Sequence, residues 1–426
     1  MKFYFSTVVS VTFLNSHGSS AFSVDHTSRT SSSLHATSPN SSNPTTNVDD
    51  YVNLNRRDAI SNALKTAALV TGANSLYPSV SAAAEETPLT SVPMIQLGNS
   101  SLNVSRTIQG YWQLAGGHGK YKPDDAISNM EAHYKAGITT LDTADIYGAS
   151  EALVGRYMKT NPDAIPLTKF CCFKFLDEID KAEVRARITK ACERLQVPSL
   201  PLVQFFWSNY DIKRYVDVGL MLAELKEEGL IQNIGATNFD LKRLRELKEG
   251  GVPIVSNQVQ LSCLDSRPIQ SGMADWCAEN DVSLIGFGTV GSGILSERYL
   301  GRATGPTQEE KNTASMRMYS KTAERFGSWK LVQELLNTMD AVASDVRSSG
   351  RCPEANISNI AQRYVLDTKS VASVLIGVRN QNHIAENIRS HSFQLNSDER
   401  DAINAVIAKR KGPAGDVWDI ERGTVV

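Results

Sequence analysis

From about residue 104 the chain alternates short apolar, β-branched runs with segments whose apolar positions recur at helical spacing. The runs Val104–Trp112, Ile138–Ala144, Ile165–Phe170, Pro201–Trp207, Ile234–Phe239, Ile254–Gln260, Val282–Gly288 and Val371–Val378 are predicted strands. Helical patterns lie between most of them, among them Pro123–Lys135 and Leu220–Glu228, the latter stopped by Gly229. Eight strands alternating with helices predict an α/β fold, a closed (β/α)8 TIM barrel forming one domain over residues 92–410. The interval before the last strand is much the longest. Within it, residues 289–330 are rich in Gly, Ser and charge, and Leu331–Ser344 and Ile357–Asp367 read as helices. An insertion after a barrel strand belongs on the C-terminal face, so it is expected to lie over the site. Residues 411–426 show no periodicity and are expected to wrap the surface as a tail.

The first 84 residues have a different character. Residues 1–50 hold 20 Ser or Thr against two basic side chains, Lys2 and Arg29. Such a stretch buries too little apolar surface to offset its ordering entropy. Lys2, the apolar run Phe3–Leu14 and small residues up to Ala21 fit a secretory signal peptide. The Ala21-Phe22 junction and the acid-poor tract behind it resemble the bipartite leader that carries proteins into complex algal plastids. Arg56-Arg57, an apolar stretch to Val80 and Ala82-Ala83-Ala84 resemble a twin-arginine signal, pointing onward to the thylakoid lumen. Residues 1–84 are therefore read as a targeting leader.

Charge narrows the partners. With 44 basic and 46 acidic residues and no long basic run, the chain has no footprint for nucleic acid or anionic lipid. No run of about 18 apolar residues would span a bilayer. The six cysteines, at 171, 172, 192, 263, 277 and 352, lack metal-ligand spacing and read as buried thiols. Oligomeric state is not legible.

Two segments carry candidate chemistry. Gly286-Phe-Gly288-Thr-Val-Gly291 is a literal G-x-G-x-x-G after a strand, but no helix pattern opens at its third glycine, so it is not read as a dinucleotide fingerprint. The segment ITTLDTADIYGASEALVG, residues 138–155, is more informative. Asp142 ends one predicted strand, Tyr147 follows in the loop, and Lys169 ends the next strand. A phenol is a poor acid near neutrality, and a Lys held by an Asp is the cation that would lower its pKa. Tyr147 as general acid tuned by Lys169 and Asp142 is a coherent proton donor to an alkoxide.

With LDTADIYGASEALVG, GATNFD (235–240), SNQVQLSCLD (256–265) and GVRNQNHIAEN (377–387) in order, the sequence resembles the aldo-keto reductase family from about residue 95 to 388. The resemblance implies NADP(H) and a small carbonyl substrate. Its catalytic tetrad falls on Asp142, Tyr147 and Lys169, while the position of its histidine holds Phe206, which can neither donate nor accept a hydrogen bond. Losing such a donor typically costs roughly a hundredfold to a thousandfold in rate. The same resemblance gives Thr237, Asn238 and Gln258 to the nicotinamide carboxamide and Phe287 to its ring. Arg379 falls to the adenosine 2'-phosphate and Asn387 to the adenine. Tyr111, Trp112, His118 and Trp207 are expected around the substrate, with His118, Trp207 and Gln113 as replacement donors. The sequence thus reads as an NADPH-dependent reductase, against the alternative of a catalytically impaired NADP-binding barrel acting as a redox sensor or binding protein.

Overall fold

The computed structural model describes residues 92–424. The expected leader, residues 1–84, lies outside them. A hairpin of β1 (Met94–Gln96) and β2 (Asn103–Ser105) comes first, and the sequence reading missed its separate existence. Its turn sits so close to the strand carrying Val255 that a side chain at Gly98 would meet the Val255 carbonyl at 2.3 Å, and φ there is +56°. Leu97 and Val104 of the hairpin are fully buried with Ile108, Leu167, Leu202 and Ile285 in one apolar cluster. The hairpin therefore stops one end of the barrel, and the chemistry is left to the other.

Eight parallel strands then close on themselves in the order of the sequence. They are β3 (Thr107–Gly110), β4 (Thr140–Asp142), β5 (Ile165–Cys172) and β6 (Leu202–Trp207). β7 (Ile234–Thr237), β8 (Ile254–Gln260), β9 (Ser283–Phe287) and β10 (Val371–Gly377) complete the set. Each falls within two residues of its predicted run or inside it. The closing register pairs Val374 with Thr107 and Gly377 with Gly110. Arg106 spans this seam, donating to the carbonyls of Ala372 at 3.1 Å and Leu366 at 2.9 Å. Burial on both faces explains why the strands read as nearly unbroken apolar runs.

The insertion after β9 contains the helices Ala314–Phe326 and Trp329–Ser348. The first is tied to the loop after β3, where the Gly117 carbonyl accepts from the Ala314 amide at 2.8 Å. It lies over the barrel mouth, as the sequence implied. The three glycines of the G-x-G-x-x-G run lead into a short 3-10 turn, Gly291–Gly293, rather than a helix. Among the described residues no helix is long and apolar enough to cross a membrane.

The tail departs from expectation. Instead of wrapping the surface, residues 416–422 fold back onto the barrel rim. Asp416 Oδ2 accepts from the Leu241 amide at 2.9 Å, Arg267 bonds Glu421 at 3.0 Å, and Val417 is buried. Single anchoring residues hold it, and these leave no period in a sequence.

His391 is buried, with Nε2 2.7 Å from the Thr107 hydroxyl and Nδ1 without a partner. Burial, reinforced by Arg363 and Arg106, lowers its pKa to about 3. Between about pH 6.5 and pH 3 the unfolded chain takes up a proton that the folded one refuses, so stability falls as pH drops through that window. We expect a loss of about 2 kcal/mol at pH 5 relative to pH 7 from this group. Urea titrations at both pH values should show it, and His391→Gln should remove it; an equal loss in the variant would assign the effect elsewhere.

Candidate active site

Strand alternation sends every second side chain of β6 into the barrel. Gln204 and Phe206 therefore point inward, while Phe205 and Trp207 join the apolar layer behind the sheet. At the mouth the inward groups converge on one carboxylate. Asp142 Oδ2 pairs with Lys169 Nζ, their side chains 3% and 5% exposed. Asp142 Oδ1 accepts from Gln204 Nε2 at 2.7 Å and from Gln258 Nε2 at 2.8 Å. Lys169 also donates to the Thr143 carbonyl at 2.8 Å. The sequence reading missed Gln204, although an amide in an apolar strand, two residues before Phe206, was a signal that it shares that residue's face.

Tyr147 lies above this pair, its ring centroid 5.1 Å from Lys169 Nζ. It is partly exposed, and its hydroxyl makes no hydrogen bond within the protein. The expected lowering of its pKa is corrected here. Burial, and after it the negative charge of Asp142, hold the phenol well above its ordinary value. Lys169 is neutralised by the carboxylate it holds, so Tyr147 faces a compensated pair rather than a bare cation. Asp145 is a further residue not anticipated. It accepts from Arg187 at 2.6 Å and faces the Cys171 amide at 3.3 Å, fixing the loop that carries Tyr147.

Beside the ring, Asn238 adopts φ +56°, a conformation that Asn tolerates better than most residues. Its amide donates to the Gln258 carbonyl at 2.9 Å, which also accepts from the Thr237 hydroxyl at 3.1 Å. Asn238 Oδ1 is buried without a partner. An orphaned buried acceptor is costly, and a carboxamide N–H would satisfy it. The residues present therefore fit a nicotinamide. Phe287 is partly exposed at the inward end of β9, and Arg379 is exposed just beyond β10. Arg379 borders a cavity of about 140 Å³ with Gln113, Lys120 and Asn129.

Phe206 is enclosed rather than left open. The ring of Phe173 lies 5.0 Å away and that of Trp418, from the tail, 5.3 Å away. The Arg422 guanidinium is 5.6 Å from the Phe206 centroid and 4.2 Å from that of Tyr210. It donates to the carbonyls of Trp207 at 3.0 Å and Asn238 at 2.8 Å. The tail is thus latched to the residue that presents the orphan acceptor, a link that no spacing in the sequence announced.

Three expected pocket residues, and Asn387, expected at the adenine, have partners within the protein. Trp207 faces away from the mouth, its Nε1 donating to Asn209 and Ile212 carbonyls at 2.8 and 3.0 Å. Tyr111 is likewise turned outward, its hydroxyl donating to Gln109. His118 accepts from the Ser315 amide at 3.2 Å, with Nδ1 3.0 Å from the Gly116 carbonyl and its ring edge-on to Trp112. It is a staple between loop and insertion helix, not a free donor. Asn387 Oδ1 accepts from Gln362 Nε2 at 3.0 Å, so its amide oxygen is already engaged.

Removing one member of a buried ion pair typically costs about 3–5 kcal/mol, and removing one neutral donor about 1–2 kcal/mol. We therefore expect Asp142→Asn to destabilise clearly more than Gln204→Met in urea titration. The reverse order would show that the ring is not organised around the carboxylate. Arg422→Met should weaken nicotinamide cofactor binding about tenfold by loosening Asn238, read as fluorescence quenching; unchanged affinity would deny the latch a role in the site.

The profile of the Aldo/keto reductase family matches residues 107–408. Pyridoxal reductase, chloroplastic, of Arabidopsis thaliana is 28% identical over 221 residues, covering 46% of this chain and 60% of that protein. L-galactose dehydrogenase of the same plant is 23% identical over 338 residues, covering 75% and 95%. The holo form of the aldo-keto reductase AKR11C1 from Bacillus halodurans superimposes with a TM-score of 0.59 at 24% identity, covering 74% of this chain and 96% of that one. The glycerol dehydrogenase AKR11B4 from Gluconobacter oxydans gives 0.62 at 20%, covering 76% and 97%. These two likenesses speak to the fold. Because the family match runs through all eight barrel strands and both sides of the Asp142 ring, the chain belongs to the Aldo/keto reductase family, as an oxidoreductase that reduces carbonyl compounds with a nicotinamide cofactor.

Proposed function

We propose that the protein reduces a small aldehyde or ketone to the alcohol with NADPH, Tyr147 delivering the proton. The observation that supports this reading is the buried, unpartnered Asn238 Oδ1, on a residue whose amide bonds the backbone of Gln258, itself a partner of Asp142. Thr237, Asn238 and Gln258 hold the carboxamide, and Phe287 lies along the ring. When bound, the cofactor supplies the hydride to the carbonyl carbon. Tyr147 then gives its proton to the developing alkoxide, and solvent restores it through the open mouth. Lys169 and Asp142 fix the phenol's position and keep the floor beneath it electrically balanced.

Arg379, with a guanidinium suited to phosphate, favours NADPH over NADH. Its Nη2 lies close over the loop after β3: a Cβ at Gly119 would stand 3.2 Å away. Residues 1–84 serve as a targeting leader to the plastid, and the paired Arg56-Arg57 direct the chain onward to the thylakoid lumen. The chloroplastic relative supports the first of these destinations. A second reading is favoured by Phe206: an NADP-binding barrel of impaired catalysis acting as a sensor.

Turnover separates the two. Purified protein should oxidise NADPH against reactive aldehydes, with at least a hundredfold loss in Tyr147→Phe. NADPH binding without Tyr147-dependent turnover would establish the sensor instead. Since the Tyr147 pKa lies above its ordinary value, the acid form persists, and the reduction rate should not fall between pH 6 and pH 9. Arg379→Ala should weaken NADPH binding by about 10- to 100-fold, in line with loss of charge-assisted hydrogen bonds, and leave NADH binding nearly unchanged. A parallel loss for both cofactors would remove the phosphate assignment.

A further inference from the structure

Phe206 leaves the carbonyl oxygen one donor short; His118 and Trp207 are engaged elsewhere, and the Gln113 amide lies against the backbone of Gly377, at the end of β10. The inserted helix brings another candidate. Helix Ala314–Phe326 begins at Thr313, whose hydroxyl accepts from the Met316 amide at 3.1 Å. It is held on two sides of the mouth. The Ala314 and Ser315 amides bond the loop after β3, and Thr322 accepts from Gln260 Nε2, at the end of β8, at 3.0 Å. Between these anchors stands Tyr319, 8% exposed.

Its ring lies directly on the backbone of Gly288, the residue after Phe287. A Cβ at Gly288 would be 2.5 Å from the ring and 2.9 Å from the hydroxyl, and φ there is +76°. Glycine is therefore required for the ring to reach this place. Among the described residues the Tyr319 hydroxyl has no hydrogen-bond partner, so its proton is not committed within the protein. Burial, and after it Tyr147 and Asp265, hold the Tyr319 phenol above its ordinary value, so it keeps its proton. A donor that stays protonated is what a developing oxyanion needs.

Building on the reductase reading, we propose that Tyr319 is a catalytic residue, the second hydrogen-bond donor to the substrate carbonyl oxygen, doing from the insertion what Phe206 cannot do from β6. Tyr319 keeps its proton; the one transferred comes from Tyr147. An oxygen with two lone pairs accepts from both phenols, and the hydride acceptor carbon is left facing the Thr237–Asn238 side.

The test uses the purified full chain with NADPH and a reactive aldehyde. Tyr319→Phe keeps the ring on Gly288 and removes only the hydroxyl. We expect kcat to fall roughly a hundredfold to a thousandfold while NADPH affinity, read by fluorescence, stays within twofold. Unchanged kcat overturns the proposal. A second arm places Phe206→His in both backgrounds. Recovery of tenfold or more in Tyr319→Phe, with little gain in the wild type, supports a shared task, whereas equal effects in both backgrounds overturn it. Tyr147→Phe run alongside separates the failures. Turnover that depends on Tyr147 but not on Tyr319 sinks this inference alone; absence of any Tyr147-dependent turnover sinks the reductase reading with it.

Discussion

The carboxylate of Asp142 is the point on which the barrel mouth turns. Four strands send a group to it: β4 carries it, β5 brings the ammonium of Lys169, and β6 and β8 bring the amides of Gln204 and Gln258. Gln258 Nε2 also reaches Gln204 Oε1 at 2.8 Å, so the amides are tied to each other as well. In a low-dielectric interior a half-satisfied network would be worse than an apolar core, and a complete one is rigid. Strand register at this level follows from keeping it complete. A slip of one residue in β6 would replace Gln204 by Val203 or Phe205 and leave Oδ1 short of a donor.

Phe206, two residues along β6 from Gln204, stands outside that network. Phe206 is filled in by its surroundings: Phe173 on one side, Trp418 on another, and the Arg422 guanidinium near its face. The guanidinium keeps its charge among aromatic rings and backbone carbonyls instead of a carboxylate, an arrangement open to Arg because it is weakly hydrated. Phe206 is thereby the seat of the tail.

The strands were legible because each is buried on both faces and punctuated by glycine or polar loops. Asp142, Tyr147 and Lys169 were legible because they sit within one strand–loop–strand unit with a chemical reason to meet. What escaped has physical causes. Arg422 reaches Asn238 across 184 positions and Trp207 across 215, and no local pattern encodes such contacts. Trp207 was misplaced although it immediately follows Phe206, and alternation alone sends neighbours to opposite faces. His118 was expected near the substrate as a replacement donor, while the structure engages one of its nitrogens with its own loop and the other with the insertion helix. Tyr319 lay inside an insertion expected over the site, whose Gly-, Ser- and charge-rich composition singled out no one residue.

Barrel closure has a kinetic consequence. Val374 pairs with Thr107, so the last seam joins residues separated by most of the folded chain. Such a contact orders a very long loop before it returns any stability, and folding slows with contacts of this kind. Until β10 arrives, the outer edges of β3 and β9 are both unpaired, and open edges recruit other chains. Arg106 hydrogen-bonds across that seam and can form its bonds only once β10 is in place. The interval before closure is therefore when this chain is most exposed to aggregation, and a companion that shields strand edges would matter more to its yield than to its finished stability.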